Sequence, residues 1–268
     1  PIFKELRMAH FTADDGTNIA YTEHVSGPAV SRIHGWMMDS RVYNGTGAAM
    51  TSKVRTIVPD LRGTGASGRP GTGFTLERYA ADIVQLAAHL KLEAFTVVGH
   101  SMGGKAAMML ALTHPQAVRR LIVADIAPVS YGHTQQGMID AMRTIDLSTI
   151  DTRGDADRQL AEVLPEAGVR AFLLQSLDVK ARKWRLNLDQ LEADMPAIIG
   201  WPEGVHGTFD GPTLMLSGAE SDYVTREHRP TIKALFPTAR FAKIPGAGHW
   251  LHADKPREFE AATAAFLG

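Results

Sequence analysis

The sequence predicts an α/β fold with one mostly parallel, eight-stranded sheet and helices on both of its faces. Short β-branched or apolar runs recur along the chain, and stretches with a helical spacing of apolar residues separate them. This alternation is typical of a parallel sheet that helices cover. The chain has 268 residues, 44% of them hydrophobic, so it can bury one substantial core.

Eight segments have the length and composition of strands. The first two flank Asp14–Gly16, which predicts a hairpin. The third contains Ser31 and Arg32, which are polar for a buried strand, so the sequence leaves its register open. The predicted strands are Arg7–Thr12, Asn18–Glu23, Val30–Ile33, Thr56–Val58, Phe95–Val98, Leu121–Ala124, Thr213–Leu216 and Arg240–Ile244.

Three helices are predicted to pack on this sheet. In Leu76–Leu90 the apolar residues recur at steps of three and four, and Thr75 can cap the first turn. Met102–Leu112 and Pro256–Leu267 show similar patterns. Each of the three therefore has a face that suits burial against the sheet.

The segment between the sixth and seventh predicted strands is long, rich in Arg and Asp, and contains several helical pieces. A connection of this length is rarely a bare loop and is more often a folded insertion. We therefore predict a helical cap at residues 130–210, inserted into a core that residues 1–129 and 211–268 form.

Charge and composition exclude several classes of partner and chemistry. Twenty-eight basic and 29 acidic residues give a net charge of −1 without a long run of either sign, so we expect no nucleic-acid partner. No apolar stretch is long enough for a membrane span, and Pro1–Glu5 lacks the pattern of a signal peptide, so cytoplasm is the default expectation. Without cysteine there is no disulfide, thiolate metal site or cysteine nucleophile. The oligomeric state is not predicted.

The sharpest motif is Gly99–Gly103, a Gly-x-Ser-x-Gly sequence with Ser101 at its centre. A predicted strand precedes it and a predicted helix follows it, which is the context of a nucleophile elbow. Such a turn exposes the serine hydroxyl at the carboxyl end of the sheet, and the following helix directs free N–H groups toward it. We therefore predict that Ser101 is a nucleophile.

His249 is the predicted general base. It follows the Gly-rich loop Gly246–Gly248, between the last predicted strand and the last helix. A loop at that place lies on the same sheet edge as the elbow, where an imidazole can take the proton of a serine hydroxyl. His252 would suggest a metal pair with His249, but no third ligand at a helpful spacing stands nearby, so we predict no metal site.

The sequence resembles the α/β-hydrolase superfamily through motifs in a specific order, His34–Trp36, Pro59–Gly63, Gly99–Gly103 and Gly246–His249. Within it, the small capped esterases of the YbfF type are similar at Gly99–Lys105, Asp125–Val129 and Gly248–Pro256. The resemblance implies a serine esterase for small-molecule esters of short to medium acyl chain, with no cofactor. It also implies an oxyanion hole made by the backbone N–H groups of Trp36 and Met102.

Two aspartates are candidates for the acid that orients the base, and the residues alone leave both open. Asp125 and Asp222 each follow a predicted strand at the correct edge. Most of the superfamily has its acid after the strand that follows the cap, in a Gly-x-x-Asp pattern, but Ser221 stands at that step here and Asp222 comes one residue late. The resemblance to YbfF-type esterases favours Asp125.

Other functions compete with this interpretation. Gly63–Gly68 fits a Gly-x-Gly-x-x-Gly dinucleotide pattern, but Arg69–Gly71 follows where a helix should begin, so a dehydrogenase is disfavoured. Ser101 in place of an aspartate disfavours haloalkane dehalogenases and epoxide hydrolases. A cofactor-free perhydrolase of the haloperoxidase type and a carbon–carbon bond hydrolase stay open on the same fold. A non-catalytic protein that binds a small ligand is the alternative outside enzymes.

Overall fold

The computed structural model describes residues 7–24, 27–35, 38–43, 54–70, 74–132 and 135–268. The strands are β1 (Arg7–Thr12), β2 (Asn18–His24), β3 (Ala29–Ile33), β4 (Arg55–Pro59), β5 (Phe95–His100), β6 (Val118–Ala124), β7 (Leu177–Asp178), β8 (Lys183–Trp184), β9 (Thr213–Gly218) and β10 (Arg240–Ile244). Eight of them form one sheet in the order β1-β2-β4-β3-β5-β6-β9-β10, and the short strands β7 and β8 pair separately.

The predicted eight-stranded, mostly parallel sheet is confirmed. β2 pairs antiparallel with β1 and with β4, and all other pairs of the eight-stranded sheet are parallel. The separate pair of β7 and β8 is antiparallel. The helices within the described residues are α1 (Leu76–His89), α2 (Met102–Thr113), α3 (Gln136–Arg143), α4 (Arg153–Ala161), α5 (Ala167–Leu173), α6 (Leu188–Ala193), α7 (Met195–Ile199), α8 (Arg229–Leu235), α9 (Leu251–Asp254) and α10 (Pro256–Leu267).

Helices cover both faces of the sheet because neighbouring strand residues point to opposite sides. In β5, Val97 packs with residues of α1 and α2, whereas the next residue, Val98, packs with Phe259 of α10. Both valines are fully buried. A central strand that is apolar on both faces is what a doubly covered parallel sheet requires.

The arginine of the third strand has a physical explanation that its sequence did not show. Arg32 is fully buried and forms a bidentate ion pair with Glu260 of α10, with N–O distances of 2.7 and 2.9 Å. Its guanidinium also lies 5.6 Å from the centre of the Tyr43 ring. A buried charge needs such a partner, so the two residues are required together. The register of β3 against β5 is regular, with Ser31 opposite Val97.

The connection between β6 and β9, which we call the β6–β9 connection, spans residues 125–212 and contains α3 to α7 with the β7–β8 pair. It has an apolar cluster of its own, whose buried members are Ala141, Ile145, Ile150, Ala156, Leu160, Leu174 and Leu177. Further apolar residues of the connection join the main core, among them Met195 and Ile198. Across the described ranges, no helix has the length and apolar character needed to cross a membrane.

Candidate active site

The turn between β5 and α2 holds Ser101 in a strained backbone conformation. Its φ of 52° lies in the left-handed region, which few residues other than glycine adopt. The turn is also tight, because a Cβ atom on Gly99 would lie 2.2 Å from the carbonyl oxygen of Gly103, and one on Gly103 would lie 2.3 Å from that of His34. The motif therefore needs glycine at both positions, and it presents the half-buried Ser101 at the carboxyl edge of the sheet.

Two hydrogen bonds connect Ser101 to Asp125 through His249. Nε2 of His249 lies 3.1 Å from Oγ of Ser101, and Nδ1 lies 2.8 Å from Oδ2 of Asp125. An ionised carboxylate can only accept, so Nδ1 carries the ring proton and Nε2 accepts from the serine hydroxyl. The three residues follow β5, β6 and β10, and the parallel sheet brings them to one edge.

Asp125 is fully buried at the end of β6, and its φ of 53° is also left-handed. Besides His249, its carboxylate accepts a hydrogen bond from the main-chain N–H of Gly218 at 3.1 Å and another from Oγ of Ser221. A buried carboxylate is costly unless donors surround it, and here three donors fix it in one orientation.

Asp222, the alternative acid, is not brought together with Ser101 and His249. Its side chain is exposed, and both ring nitrogens of His249 are already engaged by Asp125 and Ser101. The reason is the one-residue displacement seen in the sequence, because Ser221 occupies the position that faces the carboxylate of Asp125. Asp222 also does not cap the following helix, because α8 begins only at Arg229.

Three histidines cluster at this edge, and His249 is the one whose ring lies within hydrogen-bond distance of the Ser101 hydroxyl. The ring centre of His100 lies 4.9 Å from that of His249 and 4.5 Å from that of His252. Burial lowers the pKa of His252 to about 4 and holds the pKa of His100 well below its usual value. Both rings are therefore neutral at pH 7. No group of three metal-ligating side chains occurs in the ranges that the structure describes.

Of the two predicted oxyanion donors, Met102 lies at the first position of α2, directly after Ser101. Trp36 lies outside the described residues. The loop that leads to it is fixed by His34, whose Nε2 accepts the N–H of Leu61 at 3.0 Å while Nδ1 donates to the carbonyl oxygen of Gly35 at 2.9 Å. A Cβ atom on Gly35 would lie 2.8 Å from Nδ1 of His100, so glycine permits the close approach of this loop to the elbow.

Sequence reasoning missed the tyrosine that covers the base. The ring of Tyr223 stacks on His249, with centroids 3.9 Å apart and planes at 18°. Its carbonyl oxygen accepts from the hydroxyl of Tyr131, and its own hydroxyl accepts from Nε2 of Gln135. In the sequence Ser221 stands out only as a departure from a pattern, although a hydroxyl at the usual acid position is the signal that identifies a partner of Asp125.

A pocket of about 190 Å³ opens on Ser101 and is mostly apolar. The β6–β9 connection supplies much of its wall, including Met138, Phe172 and Ile198. Lys105 is an exception to the apolar lining, and burial lowers the pKa of its side chain to about 7. An apolar cavity beside a serine with a bound imidazole can hold the hydrocarbon part of a substrate while the polar groups act on one bond.

This chain is similar to known hydrolases in sequence. A family model described as the alpha/beta hydrolase fold matches residues 28–256. The sn-1-specific diacylglycerol lipase ABHD11 of Mus musculus is 39% identical over 251 residues, which cover 90% of this chain and 81% of that protein. Esterase YbfF of Escherichia coli (strain K12) is 36% identical over 201 residues, which cover 75% of this chain and 77% of that protein.

Among solved structures, one described as a marine microorganism esterase superposes on this chain with a TM-score of 0.87. The two chains are 31% identical, and the match covers 98% of this chain and 100% of the other. This similarity extends over the sheet and the β6–β9 connection alike, because almost no part of either chain is left out.

Proposed function

Since the chain belongs to the α/β-hydrolase fold family and is a carboxylic ester hydrolase, we propose that it cleaves its substrates through an acyl-enzyme on Ser101. The observation that carries this proposal is the hydrogen-bonded series Ser101–His249–Asp125 at the mouth of an apolar pocket. The proposal assigns Ser101 as nucleophile, His249 as general base and Asp125 as the acid that orients His249.

In the first half of the cycle, Oγ of Ser101 attacks the ester carbonyl carbon and its proton passes to Nε2 of His249, which lies 3.1 Å away. Asp125 accepts from Nδ1 and stabilises the imidazolium that forms. When the tetrahedral intermediate collapses, the carbon–oxygen bond to the alcohol breaks and His249 returns the proton to the leaving oxygen. The acyl group then remains on Ser101.

In the second half, His249 takes a proton from water as the water oxygen attacks the acyl carbon, and Ser101 leaves with that proton. Both tetrahedral intermediates carry an oxyanion that needs donors. Met102 supplies a main-chain N–H at the start of α2, where the helix dipole also favours negative charge. We assign the second donor to the N–H of Trp36 by resemblance to the superfamily.

We further propose that residues 130–210 act as a cap that selects the acyl chain. Support comes from the separate apolar cluster of this segment and from its contribution of Met138, Phe172 and Ile198 to the pocket wall. A cavity of about 190 Å³ suits short to medium acyl chains in extended form. The substrate is thus a small-molecule ester with an apolar acyl group.

The test is hydrolysis of p-nitrophenyl esters from acetate to decanoate by the wild type and by Ser101→Ala. We expect turnover by the wild type and a loss of at least about 10⁴-fold in kcat for the variant, because the nucleophile is gone. Retained turnover in Ser101→Ala would contradict the acyl-enzyme, and an inactive wild type would redirect the search to perhydrolysis or to carbon–carbon bond cleavage.

A further inference from the structure

Lys105 is a buried lysine inside the pocket, one helical turn beyond the nucleophile. It is 1% exposed, and its Nζ donates to the carbonyl oxygens of Ile199 and Gly200 at 2.6 and 2.7 Å. Within the described residues, no carboxylate forms an ion pair with it, and burial is the sole cause of its lowered pKa. A lysine in such a place costs stability, which a role in function can explain.

The two carbonyl groups belong to the end of α7, where the β6–β9 connection turns toward β9. There the N–H of Tyr131 donates to the carbonyl oxygen of Ile199 at 3.1 Å, and the N–H of Trp201 donates to Oγ of Ser130 at 2.9 Å. The segment that leaves β6 and the segment that follows α7 are thus hydrogen-bonded to each other. We call these two segments the neck, with residues 130–131 as its outgoing side and residues 199–201 as its returning side.

Lys105 joins this neck to the helix that carries the nucleophile. Its ammonium bonds the returning side and also lies 4.9 Å from the ring centre of Tyr131 on the outgoing side. Its own main-chain N–H donates to the carbonyl oxygen of Ser101 at 3.0 Å. A single side chain therefore connects both sides of the neck to the first turn after the elbow.

The neck matters for the substrate because its residues form part of the pocket. Tyr131 and Ile199 of the neck line the cavity, together with Ile198, which precedes the neck. If the neck moved away from α2, this wall would move away from Ser101 and the cavity would lengthen. Small displacements of this kind change discrimination between chains that differ by methylene groups.

We propose that Lys105 is a positioning residue that holds the neck against α2 and thereby limits the length of the acyl chain that the pocket accepts. This inference rests on the proposed esterase function. Because a neutral amine still has two N–H donors for the two carbonyl groups, the bond to the neck persists when the ammonium loses its proton. The bonds to Ile199 and Gly200 therefore need the donors of the side chain and not its charge.

The test compares kcat/KM for p-nitrophenyl butyrate and decanoate in the wild type, Lys105→Met and Lys180→Met. Methionine keeps the length and apolar stem of lysine but has no donor. We expect the decanoate-to-butyrate ratio to rise about tenfold in Lys105→Met, mainly through a lower KM for decanoate. Lys180 is an exposed lysine of the β6–β9 connection, so Lys180→Met should keep the wild-type ratio.

Ser130→Ala provides a second variant at the same neck. Ser130 is exposed and small, and its loss removes only the acceptor for the N–H of Trp201, so the protein should fold. We expect the same ratio to rise, by about threefold, because one hydrogen bond of the neck is lost. Hydrogen exchange at the Trp201 amide should be faster in both variants than in the wild type.

The outcomes separate this inference from the proposed function. A wild type without activity on any ester, and without labelling of Ser101 by a fluorophosphonate, would refute the proposed function itself. An active wild type whose ratio stays within twofold in Lys105→Met and Ser130→Ala, even with a lower melting temperature, would overturn the positioning role. So would a loss in Lys105→Met confined to the p-nitrophenyl monoester of a dicarboxylic acid, since Lys105 would then bind a substrate carboxylate. If Lys105→Met does not fold, the decanoate-to-butyrate ratio of Ser130→Ala decides whether the neck limits the acyl chain.

Discussion

The turn after β6 and the turn after β9 each offer an aspartate at the same edge of the sheet, and they differ in every physical property that matters for the base. Asp125 is fully buried, has a left-handed φ of 53° and binds His249. Asp222 is exposed and follows Ser221, the residue that contacts the Asp125 carboxylate. The residue that we propose as the acid is therefore the one enclosed by donors, whichever strand precedes it.

The largest effect should come from Asp125→Asn. Asparagine keeps the shape of the side chain but favours the wrong tautomer of His249, so we expect kcat for p-nitrophenyl esters to fall about 10³ to 10⁴-fold. Asp222→Asn is the matched control, and its rate should stay within about twofold of the wild type. Equal losses in the two variants would remove the distinction between the turns.

A double variant, Asp125→Gly with Ser221→Asp, would move the carboxylate from the turn after β6 to the turn after β9. In Asp125→Gly the glycine tolerates the left-handed backbone, and Ser221→Asp adds a carboxylate at the position that now faces Oδ2 of Asp125. We expect the double variant to recover about 10 to 100-fold of the kcat that Asp125→Gly alone loses, measured with p-nitrophenyl butyrate. No recovery would mean that position 221 cannot reach Nδ1 of His249.

Ser221→Ala tests how much the turn after β9 contributes to holding the carboxylate of Asp125. The variant removes one of the three donors to Asp125, while Gly218 and His249 still bind the carboxylate. Because one hydrogen bond to a charged group is lost, we expect kcat to fall about 3 to 30-fold at an unchanged KM. An unaltered rate would show that two donors are sufficient to hold the acid.

His252 shows that burial alone does not identify a catalytic group. Burial lowers its pKa to about 4, below the value of 6.5 in an unfolded chain, so the folded state favours the neutral ring. Its contribution to stability is therefore complete above about pH 6.5 and is lost as the pH falls toward about 4. We expect the melting temperature of the wild type to fall more steeply over this range than that of His252→Gln, whose side chain does not titrate. If the melting temperatures of the two proteins fell equally with pH, the lowered pKa of His252 would be contradicted.

Much of the fold could be predicted because its signals are local. The strands are predicted from short apolar runs. The elbow is predicted from two glycines at fixed spacing between a strand and the start of a helix, so each signal lies within one short segment of sequence. The end of a strand also predicts which edge a loop reaches. The amino-acid pattern therefore predicts that Ser101, His249 and Asp125 lie at one edge of the sheet, although it leaves the choice between two aspartates open.

The remainder depends on contacts between distant segments. Arg32 looks misplaced in a strand because its partner, Glu260, lies 228 positions away. The stacking of Tyr223 on His249 depends on how two loops close. The short helices of the β6–β9 connection could not be delimited, since helices of five to nine residues depend on tertiary packing.

The intact mass of the protein, measured after mixing with a p-nitrophenyl ester and rapid acid quench, shows whether an acyl-enzyme forms. For the Asp125→Asn and Asp222→Asn variants, peptide mapping then locates any acyl group. We expect an acyl adduct on Ser101 in Asp222→Asn at the wild-type rate, and a far slower appearance of the same adduct in Asp125→Asn. Rapid acylation of Ser101 in Asp125→Asn, or an adduct on another residue, would contradict the proposed mechanism.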